Sequence, residues 1–310
     1  PTAHSDHCRV VIPLGHSAPD LVASCGLDGA VRVWDARAAG RGSRPVAAAN
    51  FDAQVTAGAV HPSAQYLCVG VGAAVALLDL RADRERARAA ELWPGHLALA
   101  CDVSDADSVQ AAVDSVGTRL GRIDALINNA GIADQSVPTL QQNAAAFDRV
   151  LAVHLRGAFL LSQAVIPHML AQPRDARGNR GSIVNLGSIA SLGGIPGRNA
   201  YSAAKAGMLG LTRALASEWA RSGIRVNAVA PGYVATELVV GLAQQGAIDT
   251  EAIARRTPLG RLADPAEIAA AIAFLASPAA SYVTGAILSA DGGWSSFGAP
   301  ESALGPLGSD

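Results

Sequence analysis

A cysteine framework is the first thing this chain lacks. Its four cysteines, Cys8, Cys25, Cys68 and Cys101, are scattered and show neither disulfide-type nor zinc-type pairing. They read as small buried hydrophobes in a reducing compartment. An excess of one charge is also missing. Lys and Arg number 24 against 26 Asp and Glu, and the net charge of −2 gives no electrostatic case for nucleic acid or an anionic membrane. No uninterrupted apolar run reaches the roughly 18 residues of a spanning helix. The richest, 268–276, is about half of that. The polar opening does not resemble a signal peptide, so the expected location is the cytoplasm. His4, His7, Cys8 and His16 match no metal-ligand spacing and are read as polar residues near the start, with no metal site expected. Against these absences, half of the residues are hydrophobic, which suits a packed domain rather than a disordered chain.

The most informative residues that are present lie in the run GSIASLGGIPGRNAYSAAKAG, which holds Ser188, Tyr201 and Lys205. Tyr201 and Lys205 are four positions apart, and on a helix that spacing stacks them on one face. An ammonium about 5 Å from the phenol, at an effective dielectric of ~20, favours the phenolate by roughly 3 kcal/mol. That is enough to lower a tyrosine pKa of about 10 by around two units, into the range useful for acid–base chemistry. Ser188 follows the apolar run 182–186, so its hydroxyl is placed to face the same cleft.

From residue 75 onward, short apolar runs alternate with helical stretches. Strands are expected at 75–80, 96–101, 123–127, 182–186, 225–230 and 286–289. Helices are expected at 82–92, 105–120, 147–170, 200–222 and 265–276. Continuous apolar strands between helices indicate a parallel sheet covered on both faces. The fold class is therefore α/β, a doubly wound Rossmann-type sheet with an atypical N-terminal segment of short strands.

On Ser188, Tyr201 and Lys205, with Asn128-Asn129-Ala130-Gly131 and Pro231-Gly232 after their strands, the chain resembles the short-chain dehydrogenases/reductases over 75–293. The resemblance implies an NAD(P)-dependent oxidoreductase that interconverts a secondary alcohol and a ketone. Tyr201 would be the acid/base, Lys205 its partner and the holder of the nicotinamide ribose, and Ser188 the group that fixes the substrate oxygen. Asp79 would accept from the adenosine ribose hydroxyls, which favours NAD over NADP, although Arg81 is close by in sequence. Asp102 and Val103 would lie against the adenine, and Asn129, Ala130 and Gly131 beside the ribose. Pro231, Gly232, Val234 and Thr236 would cover the nicotinamide, with 233–260 as a substrate lid carrying Leu238, Val239, Val240 and Leu242. The family usually has Asn where this chain has His154, in a position that helps hold a water near the lysine. The resemblance also implies a small alcohol or ketone substrate and a homodimer or homotetramer.

The first 74 residues depart from that pattern. A shift of 44 positions superposes 21–38 on 65–82, bringing Gly26 onto Gly70 and Asp35 onto Asp79. With Trp34-Asp35 and the His61-Pro62 turn, this segment resembles WD-repeat propeller blades. One or two blades cannot close a ring. Residues 37–45 read as a linker, and 297–310 as a tail. Asp79 has two possible uses, ending a blade or ending the second Rossmann strand, and the downstream chain needs the second.

The Thr-Gly-x-x-x-Gly-x-Gly turn that normally cradles a pyrophosphate at a helix N-terminus does not occur in 1–74. The nearest fragments are 55–58 and 70–72. In the strand order 3-2-1-4-5-6 the first strand is central, so its loss separates strands two and three from the rest unless 9–14 or 66–71 substitutes for it. Three readings stand: an alcohol/ketone oxidoreductase, a catalytically impaired scaffold without a pyrophosphate cradle, and a protein-interaction module led by 1–74.

Overall fold

The computed structural model describes strands 8–13, 21–26, 30–35, 47–50, 57–60, 67–70, 78–79 and 99–100. It also describes residues 101–299 except 245 and 247, together with residue 303. His4, His7, His16, the 37–45 linker, the expected 82–92 helix and most of the 297–310 tail lie outside the described residues. The chain divides into two compact units, 1–77 with 87–98, and 78–86 with 99–310.

In the first unit, β1 (Cys8–Pro13), β2 (Leu21–Gly26), β3 (Ala30–Asp35) and β4 (Ala47–Asn50) form an antiparallel sheet in chain order. β5 (Ala57–Val60) and β6 (Leu67–Gly70) form a separate antiparallel pair. The 44-residue shift does not carry over into strand pairing. Asp35 ends β3 opposite Leu21 of β2, whereas Asp79 ends a strand of the second unit. Matching short runs of Ala and Val leaves the choice of partner to tertiary context.

In the second unit, β7 (Leu78–Asp79) pairs in parallel with β8 (Leu99–Ala100). β9 (Ala125–Asn128), β10 (Gly181–Leu186), β11 (Ile224–Pro231) and β12 (Ile287–Ala290) form a parallel sheet in the order β12-β11-β10-β9. β10 and β11 are its buried centre, with Ile183, Val184, Val226, Ala228, Val229 and Ala230 fully enclosed. Both faces are covered by helices, as continuous apolar strands require. The fold is the Rossmann-type α/β arrangement. Its parallel sheet is interrupted: among the described residues, no strand pairs with β9 on the side away from β10, and β7–β8 stands as its own two-stranded sheet. The two candidate substitutes are engaged elsewhere, β1 with β2 and β6 with β5.

The helices follow their local signals. α1 (Ala106–Leu120) starts at Asp105, whose carboxylate accepts from Asp107 N, and stops at Gly121 in the left-handed conformation. The expected helix 147–170 is three pieces. α2 (Ala144–Leu151) and α3 (Gly157–Ala171) are joined by a five-residue π-helical segment, 152–156. Together they make a helical run, 144–171, with a mean hydropathy of 1.5 in its most apolar window, long and apolar enough to cross a membrane. Asp148, Arg149, His154 and Arg156 interrupt it, so that its sequence holds no unbroken apolar run of that length. Met169, Ser162, Leu161 and Val165 of α3 are nonetheless buried inside the unit. α4 (Asn199–Trp219) follows, and then α5 (Glu237–Gln244) and α6 (Thr250–Arg256). α7 (Pro265–Ala276) has Pro265 in its first turn and a capping box between Asp264 and Glu267.

The end of α7 is closed by a buried charge. Arg225, 6% exposed on β11, donates to the carbonyls of Leu275 at 2.8 Å, Ala276 at 3.3 Å and Ser277 at 3.0 Å. These are carbonyls that a helix C-terminus leaves without partners, and a cation there also meets the negative end of the helix dipole. Replacing Arg225 with Leu removes charge-assisted hydrogen bonds of about 2 kcal/mol in total. Calorimetry of the Arg225→Leu variant is expected to show a thermal midpoint lower by roughly 4–8 °C. An unchanged midpoint would contradict this role.

Candidate active site

The site is built where β9, β10 and β11 end, the edge at which doubly wound sheets bind ligands. Tyr201 and Lys205 share a face of α4, and Lys205 Nζ stands 5.6 Å from the centre of the Tyr201 ring. The adjacent stripe, Ala200 and Ala204, is fully buried against Val150 of α2, so that α4 is seated by small side chains. Lys205 itself is only 5% exposed, and its ammonium donates to the carbonyl of Leu186, the last residue of β10, at 2.6 Å. Burial pushes its pKa down to about 8. Ser188 lies just beyond β10 and is 7% exposed. It caps a short turn, 189–191: its Oγ accepts from Ala190 N at 3.1 Å, and Ser191 Oγ accepts from Ser188 N at 3.0 Å.

His154 sits in the π-helical segment, a local distortion often found at functional positions. Its ring meets the Tyr201 ring edge-on, 5.4 Å between centres. Its Nε2 faces both Ile132 N at 3.0 Å and Ile132 O at 2.9 Å. The imidazole is 4% exposed, and burial, with the nearby Lys205 charge, pushes its pKa down to about 4. Gly131 is needed beneath it, since a Cβ at 131 would come within 2.6 Å of the His154 ring.

The other expected residues lie at or just beyond strand ends of the second unit. Asp79 ends β7 opposite Ala100. Asp102 follows β8, and hydrogen bonds from the Ser104 hydroxyl at 2.7 Å and backbone at 2.9 Å hold its carboxyl below the usual range. Val103 is 1% exposed and packs on Gly157, where an added Cβ would come within 2.9 Å of it. Asn129 is exposed and its N–H donates to Ile127 O at 3.1 Å; Ala130 is half-buried beside it. Pro231 ends β11 opposite Ala290. Gly232 runs so close to Asp291 that a Cβ would stand 2.9 Å from its Cα. Val234 bridges Ala263, and Thr236 accepts from Val239 N at 3.4 Å at the start of α5.

Residues that the sequence did not single out hold these in place. Asp134 Oδ2 accepts from Tyr201 N at 2.9 Å, supplying the N-terminal cap that Arg198 does not give α4. Gln142 Nε2 donates to Gly197 O at 2.9 Å and Asn199 Nδ2 to Thr139 Oγ1 at 2.9 Å, tying the 134–142 loop to the same end of α4. No local signal marks these pairs, because each joins segments dozens of residues apart. Below pH 6.5 the unfolded chain takes up a proton on His154 that the folded chain refuses until about pH 4. Stability is therefore lost as pH falls through that window, by about 3 kcal/mol in total. Urea unfolding at pH 7 and pH 5 is expected to show a larger drop for the unaltered chain than for His154→Asn. Equal drops would contradict the buried neutral imidazole.

The family model described as enoyl-(acyl carrier protein) reductase matches residues 64–295. Cis-4-hydroxycyclohexanecarboxylate dehydrogenase of Sinomonas cyclohexanicum is 45% identical over 226 residues, covering 72% of this chain and 87% of its own length. D-threitol dehydrogenase of Mycolicibacterium smegmatis is 43% identical over 226 residues, covering 72% of this chain and 84% of its own. Among solved structures, NADPH-bound ElxO superposes with a TM-score of 0.63 at 28% identity, over 69% of this chain and 86% of that one. The breadth of these matches, over a parallel sheet flanked by helices, places the chain in the short-chain dehydrogenase/reductase family.

Proposed function

We propose that this chain is an NAD(P)-dependent oxidoreductase that interconverts a secondary alcohol and a ketone. The observation that carries this reading is the buried Lys205 ammonium beside the Tyr201 ring at the end of β10. The residues present fit the nicotinamide end of a dinucleotide. Lys205 and Tyr201 would hold its ribose, and Pro231, Gly232, Val234 and Thr236 would border the ring. Asp79, Asp102, Val103, Asn129, Ala130 and Gly131 would line the adenosine end, with an acid at Asp79 favouring NAD over NADP. When bound, the nicotinamide supplies or accepts the hydride at the substrate carbon.

The rest of the chemistry falls to side chains of the chain. Tyr201 takes the hydroxyl proton of an alcohol or returns it to a ketone oxygen. The Lys205 ammonium attracts the negative charge that develops on the Tyr201 oxygen, and Ser188 holds the substrate oxygen by hydrogen bonding. His154 packs edge-on against Tyr201. The relatives named above act on a hydroxycyclohexane carboxylate and on a four-carbon polyol, so ring and open-chain secondary alcohols are the first substrates to try. A homodimer or homotetramer and the catalytic span 75–296 belong to the same reading. The antiparallel four-strand order β1-β2-β3-β4 supports a blade-like reading of the first segment.

A second reading is favoured by one specific feature. The Thr-Gly-x-x-x-Gly-x-Gly turn that would receive a pyrophosphate does not occur in the sequence 1–74, ahead of β7. A scaffold that keeps the serine, tyrosine and lysine but binds the dinucleotide poorly would have this structure.

Titration of the full chain with NADH, followed by nicotinamide fluorescence, separates the two. Saturation in the millimolar range, near −4 kcal/mol of binding energy, is expected for the enzyme. No binding at millimolar NADH removes the oxidoreductase reading. For a chain that oxidises one of the trial alcohols, Tyr201→Phe is expected to lower kcat by roughly 10²–10⁴-fold while NADH binding persists. Full activity in that variant would rule out Tyr201 as the acid/base.

A further inference from the structure

Beneath the candidate site a chain of buried polar side chains crosses the sheet, and its hydrogen bonds can have only one direction. The Thr212 hydroxyl donates to Met208 O at 2.8 Å, so toward Asn185 it can only accept. Asn185 Nδ2 therefore donates to Thr212 Oγ1, at 2.8 Å, and Asn185 presents its Oδ1 to Asn128. Asn128 Nδ2 donates to that oxygen at 2.8 Å and also faces Ser162 Oγ at 3.3 Å and Ala158 O at 3.4 Å. This fixes the amide of Asn128, and its Oδ1 is left buried without a partner. His154 Nδ1 is buried without a partner as well. Each of these two residues is only 4% exposed.

Both residues line one small cavity, closed by Ala130, Val153, Gly157, Ala158 and Leu161, with a volume of about 10 Å³. That is close to the smallest space that holds a single water molecule, and it is too small for any organic ligand. An unpartnered buried carbonyl oxygen and ring nitrogen are costly in an apolar enclosure. On the far side of the ring, Nε2 faces an N–H and a C=O of the same residue and can serve only one of them. An orphaned N–H is the rarer and costlier of the two, so Nε2 accepts from Ile132 N and the ring proton resides on Nδ1.

We propose that this cavity is a binding site for one water molecule, which accepts from His154 Nδ1–H and donates to Asn128 Oδ1. The water makes a single directed chain from Ile132 N–H through His154 to Asn128, Asn185 and Thr212. It joins the turn after β9 to the centre of the sheet and sets the angle at which His154 meets Tyr201. Asn128 and His154 are thus positioning residues, whether or not a dinucleotide binds. The shifted titration of His154 agrees with a neutral ring at pH 7.

The test is an atomic-resolution crystal structure of the full chain, together with long-range proton–nitrogen NMR of its histidines at pH 7. One water within hydrogen-bond reach of both atoms is expected, with His154 in the Nδ1–H form. An empty cavity, or a water touching only one of the two residues, overturns the site. An Nε2–H tautomer overturns the direction of the chain. Neither outcome depends on cofactor binding or turnover, so the proposal can fail while the oxidoreductase reading stands, and the reverse.

Discussion

One buried ammonium organises the candidate site. Lys205 Nζ leaves water, which is unfavourable enough to push its pKa down to about 8, and the carbonyl of Leu186 receives it. That single bond pins the middle of α4 to the end of β10, and it can form only because Ala200 and Ala204 let α4 settle against α2. Tyr201 is then carried to a set distance from the charge by helical geometry. Ser188 is fixed independently by its own turn. A strand end and a helix face are locked together by the bond from Lys205 to Leu186, with Ser188 just past the strand end and Tyr201 and Lys205 on the helix face.

A second constraint acts on the other half of the nucleotide fold. A doubly wound sheet is continuous only if its first strand separates the second and third from the fourth. Here β7 and β8 pair with each other, and β9 begins a separate sheet. The residue following β8 is still held to the helical layer. Val103 packs on Gly157, Arg156 donates to Ser104 O at 2.5 Å, and Asp102 is braced by Ser104. The helical layer holds the segment after β8, although among the described residues the sheet beneath it is divided. This combination keeps both the oxidoreductase and the impaired-scaffold readings in play.

Much of this was legible in the residues. The Tyr-Lys spacing specified the helical face, and the bounds of α7 were written in Asp264, Pro265 and Glu267. The missing glycine-rich turn agrees with a sheet that, among the described residues, has no strand between the β7–β8 pair and β9. Other features had no local signature. The π-helical segment inside 147–170 arises where His154 turns inward, and hydrophobic periodicity cannot separate it from the flanking α-helices. Asp134 caps Tyr201 from 67 positions away. The superposition of 21–38 on 65–82 does not specify strand partners, because similar apolar runs accept different neighbours: β2 took β3, while β7 took β8.

The side of β9 that meets no other described strand has a consequence beyond catalysis. Ala125, Leu126 and Ile127 offer a short apolar ladder whose outer backbone groups meet no other described strand. Such a row is a ready template for a strand from another molecule, and no Pro or Lys within Ala125–Asn128 blunts it. Among the described residues, that margin is where a further strand, from this chain or from another copy, would extend the sheet.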